Sequence, residues 1–291
     1  MYNNTEPICL LTFDVEEWFQ VENLKSAIRA EEWDRFPSSV LENTQLILRI
    51  LDKYDVKATF FVLGWVGEKC PELLHEIYHH GHEVACHGYG HELTNRLDDN
   101  QLREDISKAK EVLESTIAHQ IVGYRSPSFS IHPKLFPFLI ELGFRYDSSY
   151  NPFSLNKRYG KIDAPLRRVS NGCYQMGNGL FEFPISTLKI KNNHFPIGGG
   201  AYFRIIPLFL MKLFVNWRLK QEGLYNIYLH PWEFQGDQPR IKKIPLSYQF
   251  RHYYGLERTP KKFEKFVQYL KKLNCHFMTM EKYLEEIVIH K

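Results

Sequence analysis

Two histidines stand four residues apart in His87-Gly88-Tyr89-Gly90-His91. That spacing brings both imidazoles to one metal if the chain turns helically, and the glycines permit a sharp turn. The plain alternative is a pair of surface histidines on a loop. Phe13-Asp14-Val15-Glu16-Glu17-Trp18 places Asp14 and Glu16 on one side of an extended chain, with Val15 and Glu17 on the other. A metal needs an oxygen ligand and hydrolysis needs a base, so these two carboxylates are suited to divide the roles; otherwise they form a solvated acidic loop. Arg125, in Gly123-Tyr124-Arg125-Ser126-Pro127-Ser128-Phe129, is suited to hold a carboxylate ionised, or else is an ordinary surface arginine before a proline turn. His230, in Tyr228-Leu229-His230-Pro231-Trp232, ends a strongly apolar run. There it is either a desolvated proton donor or a satisfied core histidine.

The elements that must position these groups alternate between β-rich apolar runs and helical patterns, the signature of a parallel sheet covered by helices. Strands are predicted at Ile8 to Asp14, Ala58 to Gly64, Glu83 to His87, Ile121 to Arg125, Phe144 to Ser148, Phe181 to Ser186 and Asn226 to His230. Helices are predicted at Val40 to Tyr54, Pro71 to His80, Leu102 to His119, from Pro133 through Leu142, and at Thr259 to Leu273. Asn151 to Gly179 has no clean period and reads as loops. About seven strands with interleaved helices predict an α/β barrel. Asp14, His87, Arg125, Asp147 and His230 then fall at the C-terminal ends of strands, where the loops of parallel barrels converge and catalytic groups collect.

Composition narrows the classes. At 291 residues, 44% hydrophobic and without a linker or repeat, the chain reads as one domain over 1–291. A formal charge of +3, evenly spread, argues against nucleic acid as a partner. Five cysteines without a CxxC pair suggest neither a disulfide framework nor a thiolate zinc knuckle, and fit reduced thiols in the cytoplasm. The N-terminus lacks a basic, apolar leader pattern. The apolar stretch Arg204 to Trp217, interrupted by Pro207 and Lys212, is too short to span a bilayer and reads as a buried helix, with a helix resting on a membrane surface as the second reading. Aromatic residues make up 15% of the chain, and Trp18, Trp33, Tyr202 and Trp232 are candidates for stacking on sugar rings.

Taken in order, TFD with its nearby carboxylates, HGYGH, GYRSPSF and YLH resemble the successive motifs of the polysaccharide deacetylases of the NodB-homology type, carbohydrate esterase family four. DVEEWF, YDSS, GGGAYFR, HPWEF and FRHYYGLERT are similar to the subfamily encoded with exopolysaccharide and exosortase systems. The resemblance implies a distorted (β/α) barrel with a motif core at about residues 8–235, a subfamily extension over about 236–291, and a divalent metal, usually zinc. It implies His87 and His91 as metal ligands, Asp14 as base, Arg125 as the residue orienting it, and His230 as acid. Val15 stands where the family commonly has a second aspartate, which leaves Glu16 as the carboxylate ligand. Ser128 and Phe129 follow the motif proline and are expected at the substrate, with a backbone N–H near Ser128 at the oxyanion. Asp147 is expected to orient His230 or bind sugar. The implied reaction is deacetylation of N-acetylhexosamine in a polysaccharide or its lipid-linked precursor, at the inner membrane face. A small-molecule amidohydrolase of the same fold and an inactive carbohydrate-binding homologue are the rival readings.

Overall fold

A computed structural model describes residues 6–153, 158–163, 165–177, 179–191 and 193–289; the first five residues of the N-terminal reading lie outside this set. In chain order the strands are β1 (Ile8–Val15), β2 (Thr59–Val62), β3 (Glu83–Cys86), β4 (Gly123–Tyr124), β5 (Tyr146–Asp147), β6 (Leu166–Ser170), β7 (Cys173–Met176), β8 (Phe181–Glu182), β9 (Thr187–Ile190), β10 (Asn193–Pro196), β11 (Leu224–Leu229) and β12 (His276–Phe277). The main sheet runs β11-β1-β2-β3-β4-β5-β8-β7-β6, with β12 also beside β1. From β11 to β8 every pairing is parallel, which gives seven parallel strands. Beyond β8, Ser186 donates to the Asn226 carbonyl and Gly199 bridges to Tyr228, so the chain curls back to β11. The architecture is a distorted α/β barrel.

The apolar runs form strands because both of their faces can be covered. β1 and β11 are buried at every residue, as parallel strands under helices on one side and the barrel interior on the other must be. The covering helices are amphipathic. Val40–Lys53 buries Ile47, Leu48 and Leu51; Asp99–Ile117 buries Leu102, Ile106, Ala109 and Leu113; Thr259–Lys272 buries Phe263, Phe266, Val267 and Leu270. Each of these leucine, isoleucine, valine and phenylalanine side chains contributes about 1.5–3 kcal/mol relative to exposure. Asp98 starts the second of these helices by accepting from the Gln101 backbone N–H, the reciprocal bond of a capping box. All five cysteines are free and buried. No helix among the described residues is long and apolar enough to cross a membrane.

Two expectations are corrected. The loop segment Asn151 to Gly179 contains the antiparallel hairpin β6–β7, turned at Asn171-Gly172, where Gly172 has φ +62°. Its strands lie at the sheet edge and carry exposed Arg167 and Arg168, so no apolar run marks them. The stretch Arg204 to Trp217 is not one buried helix. It breaks before Pro207, which has no N–H to continue the ladder, into helices Gly200–Ile205 and Leu208–Glu222. Met211, Val215 and Leu219 face the core, while Phe209, Leu213 and Trp217 are 70%, 60% and 42% exposed.

Candidate active site

The strand ends converge on one cleft, lined among others by Asp14, Glu16, His87, His91, His230 and Trp232. Asp14 is the penultimate residue of β1, and Glu16 lies just beyond the strand. Both reach the cleft, while Val15 between them packs into the core. Glu17 turns away, as the strand period requires, and its carboxylate accepts from the N–H groups of Ser39 (2.9 Å) and Val40 (3.1 Å) at the start of helix Val40–Lys53.

Arg125 follows β4 and is fully buried. It donates to Asp14 Oδ1 at 2.6 Å, to Thr12 Oγ1 at 2.7 Å and to Ser148 Oγ at 2.9 Å, with its guanidinium 4.0 Å above the Phe61 ring. A buried guanidinium so fixed holds its carboxylate partner in one rotamer, leaving Asp14 Oδ2 for the cleft.

His87 follows β3, and its Nδ1 lies 2.7 Å from the Arg125 carbonyl, so Nδ1–H donates there and the Nε2 lone pair remains for a ligand. Burial lowers the His87 pKa to about 4 against the opposing pull of Asp14, which keeps the ring neutral. The segment from His87 to His91 does not turn helically as expected. Gly88 has φ +74° and His91 φ +52°, and the loop is pinned by Asp105, which accepts from the N–H groups of Tyr89 (2.9 Å) and Gly90 (3.1 Å). A Cβ at position 88 would sit 2.7 Å from Asp105 Oδ2, so glycine is required there. The loop still brings the two rings to a centroid separation of 5.7 Å.

Glu16, His87 and His91 each offer one ligand atom, all within 4.8 Å of one another. Glu16 Oε2 lies 2.6 Å from His91 Nε2, yet this buried oxygen has no hydrogen-bond partner among the described residues. An oxygen and an imidazole nitrogen facing each other without a hydrogen bond fit a shared cation, and one carboxylate with two imidazoles is a donor set suited to zinc-like divalent ions. Burial opposes ionisation of Glu16, but His91, His230 and His87 outweigh it and bring its pKa to about 2. Glu16 Oε1 accepts from Trp232 Nε1 at 3.1 Å, which fixes the carboxylate.

His230 follows β11 and faces these groups, with Nε2 3.9 Å from Asp14 Oδ2 and 3.6 Å from Glu16 Oε1. Its Nδ1 lies 3.0 Å from Glu233 Oε2, the oxygen that also accepts from the His230 backbone N–H. Burial lowers the His230 pKa, but Glu233 above all, with Glu16 and Asp14, raises it to about 9, so the ring is protonated at neutral pH. Glu233 is in turn held by Arg204, 2.7 Å from Oε1. Sequence reasoning assigned neither residue a role. The turn Pro231–Phe234 folds Glu233 back on His230, and a Cβ at position 200 would lie 1.9 Å from Glu233 Oε2, so Gly200 makes room for the carboxylate.

Several expected substrate contacts are elsewhere. Asp147 does not reach His230: it is fully buried, accepting from Ser149 N–H at 2.9 Å and Ser149 Oγ at 2.6 Å, and it packs beside Glu182. Trp18 is fully buried against Phe19 and Phe36, and Trp33 belongs to the same aromatic cluster, where it lines a separate cavity with Phe36 and Trp65 and not this cleft. Trp232 stacks on His230 and His252 and is 5% exposed, which makes it a wall of the site rather than a free platform. Tyr202 lies beneath the Arg251 guanidinium. Ser128 and Phe129 do line the cleft, in consecutive left-handed conformations at φ +52° and +58°. Tyr159, Tyr228 and Arg251 line it as well and were not singled out by sequence.

Residues 3–146, which carry Asp14, Glu16, His87, His91, Arg125, Ser128 and Phe129, match the family model described as polysaccharide deacetylase. The first half of the chain is a polysaccharide deacetylase domain. Residues 148–285 match a domain of unknown function, DUF3473, and contribute Arg204, His230, Trp232, Glu233 and Arg251 to the same cleft. Among curated proteins, this chain is 31% identical over 142 residues to a bifunctional xylanase/deacetylase of Pseudobutyrivibrio xylanivorans, covering 48% of this chain and 23% of that one. It is 34% identical over 122 residues to a peptidoglycan deacetylase-like protein of Gibberella zeae, covering 41% and 36%. A peptidoglycan-N-acetylglucosamine deacetylase of Bacillus cereus is 36% identical over 89 residues, covering 31% and 30%. The chain thus spans about a quarter to a third of these relatives. Among solved structures, a peptidoglycan N-acetylglucosamine deacetylase superposes with TM-score 0.55 at 18% identity, over 97% of this chain and 89% of that one. A family-four pseudoenzyme from Bacillus anthracis superposes with TM-score 0.55 at 14% identity, over 98% and 67%. Likeness at this level shows the fold alone, because an enzyme and a pseudoenzyme share it.

Proposed function

We propose that this protein is a metal-dependent hydrolase that removes N-acetyl groups from N-acetylhexosamine residues of a polysaccharide or its lipid-linked precursor. The observation that carries this reading is the cleft in which the Glu16, His87 and His91 donor set stands between a carboxylate held by arginine and an imidazolium held by a carboxylate. Glu16, His87 and His91 would hold the metal, zinc being our assignment, and a bound divalent ion supplies Lewis-acid polarisation of the acetamide carbonyl and acidifies water. Asp14, held at Oδ1 by Arg125, accepts the attacking water's proton at Oδ2. A backbone N–H near Ser128 supports the charge gathering on the acyl oxygen. His230 donates from Nε2 to the departing amine, because an amine leaves readily once protonated, and Glu233 holds the opposite nitrogen and stabilises the charged ring.

Val15 does not weigh in favour of an inactive homologue, since Glu16 supplies a carboxylate to the donor set. We also assign the protein to the cytoplasmic side of a membrane. The free thiols are consistent with a reducing compartment, and the exposed Phe209, Leu213 and Trp217 face, flanked by Lys212 and Lys220, is suited to anionic lipid. The deciding experiment is acetate release from N-acetylglucosamine oligomers, before and after chelation and with zinc restored. Release that chelation abolishes and zinc recovers is expected; no release by the metal-loaded protein refutes the hydrolase reading.

A further inference from the structure

The segment Phe250-Arg251-His252-Tyr253-Tyr254-Gly255 is largely explained by packing. His252 stacks on Trp232 and bonds Gln238 at 3.0 Å, while Tyr253 donates to the Pro239 carbonyl at 3.0 Å. The carbonyls of Arg251, His252 and Tyr254 all accept from Arg204, which also grips Glu233, and Gly255 takes φ +77° to complete the turn. Among the described residues the side chain of Arg251 makes no bond of that kind to the backbone and is held instead by the Tyr159 phenol. It lines the same cleft as Asp14 and His230, and its guanidinium sits among tyrosines, 5.9 Å over the Tyr202 ring and beside Tyr159 and Tyr228.

Every carboxylate lining the cleft is otherwise engaged. Asp14 is held by Arg125, Glu233 by Arg204 and His230, and Glu22 by Arg96 at 3.0 Å through Oε1, its Oε2 having no hydrogen-bond partner among the described residues, while Glu16 belongs to the donor set with His87 and His91. Among the described residues Arg251 has no ion-pair partner, and the groups that dominate its surroundings are phenols. Arg158, held at 2.9 Å by Asn23 and stacked over Tyr248, adds a second positive charge to this rim. A half-buried guanidinium without a counterion is costly, and ring faces satisfy it only in part. Its planar set of donors matches an oxyanion that accepts two parallel hydrogen bonds.

We propose that the Arg251 end of the cleft is a subsite for an anionic substituent on the glycan, a carboxylate or phosphate oxyanion carried near the N-acetylated sugar. This rests on the reading of the cleft as a glycan site. The subsite makes the enzyme selective for acidic over neutral polymers.

The test is calorimetric binding to the full-length, metal-loaded chain, which needs no turnover. Three N-acetylglucosamine tetrasaccharides serve as probes: one neutral, one with a glucuronic acid unit beside the N-acetylated sugar, and one carrying a 6-phosphate. At least one acidic probe should bind about tenfold or more tighter than the neutral one, as a charge-assisted hydrogen-bonded pair predicts, with the advantage shrinking at high salt. Which acidic probe wins separates carboxylate from phosphate. Arg251→Gln should bring the acidic-to-neutral ratio towards one, and Arg251→Lys should keep part of it. Equal affinity of the wild type for all three probes overturns the subsite whatever the variants do, and so does an unchanged ratio in a folded Arg251→Gln. Tight acidic binding without acetate release from any probe would refute the hydrolase reading and leave the subsite standing. Binding of no probe refutes both.

Discussion

Replacing Glu233 by glutamine tests how the cleft makes a proton donor at neutral pH. The His230 pKa is about 9, and Glu233, 3.0 Å from Nδ1, is the largest influence raising it. Glutamine keeps an acceptor for Nδ1–H but removes the charge, and burial then acts against the imidazolium with only Glu16 and Asp14 opposing. A cation on Glu16 weakens that opposition further. A fall to the ordinary imidazole value of about 6.5 would cut the protonated fraction at pH 8 from about nine-tenths to about 3%, a loss of roughly 30-fold. At pH 6 the loss would be under about 1.5-fold. The sign is set by the direction of the shift: an activity that needs the protonated ring is present at low pH and lost as pH rises through the folded-state pKa. The assay is kcat/KM against pH on an N-acetylglucosamine oligomer, with thermal melting to verify that Arg204, left without its carboxylate, still holds the carbonyls of Arg251, His252 and Tyr254. The alkaline limb should move from near pH 9 to about 2.5 units lower. An unmoved limb in the folded variant would mean that Glu233 does not govern the titration of the acid.

Asp14→Asn should retain metal and lose nearly all turnover, whereas Glu16→Gln should lose metal affinity first and regain part of its activity with added zinc; metal analysis showing the reverse would exchange the two roles. The double variant His87→Ala/His91→Ala should purify folded and metal-free, and full metal occupancy there would refute the donor set. Gly200→Ala should melt lower, by about 1–3 kcal/mol of overpacking, and reduce turnover, because its Cβ falls 1.9 Å from Glu233 Oε2; wild-type kinetics would show that the glycine is not there for the carboxylate. Phe209→Ser/Trp217→Ser should reduce co-sedimentation with vesicles containing anionic lipid while leaving melting unchanged, and equal binding would remove that face as the lipid contact.

What the sequence reveals depends on how locally each feature is determined. β1 and β11 are legible because a run buried on both faces must be apolar throughout, and Asp14 and His230 are legible because each polar residue interrupts or ends such a run. The hairpin β6–β7 is not, because an edge pair with exposed arginines carries no apolar signal. The loop His87 to His91 shows its histidines but not its shape, which Asp105 imposes from the next helix. Asp147 misleads for a related reason: its strand-end position matches that of the cleft residues, but its carboxylate is taken by Ser149, a contact fixed by χ angles that no pattern encodes.

Glu233 is the sharper case, because the turn that carries it meets a helix some thirty residues earlier in the chain. The carboxylate stands three residues after His230, the guanidinium that holds it comes from the helix Gly200–Ile205, and the space it occupies exists because residue 200 lacks a side chain. All of these lie within the DUF3473 match, whereas the donor set and the Asp14–Arg125 pair lie within the deacetylase match. The two halves are joined by the sheet itself: β1 pairs with β11, and β5 with β8, across that division. The proposed base and acid therefore face each other only when both halves have folded into one barrel, 3.9 Å apart at Asp14 Oδ2 and His230 Nε2. In the proposed mechanism, a deacetylase half separated from residues 148–285 would keep its metal ligands and its base but have no proton for the leaving amine, so hydrolysis belongs to the joined chain and to neither half.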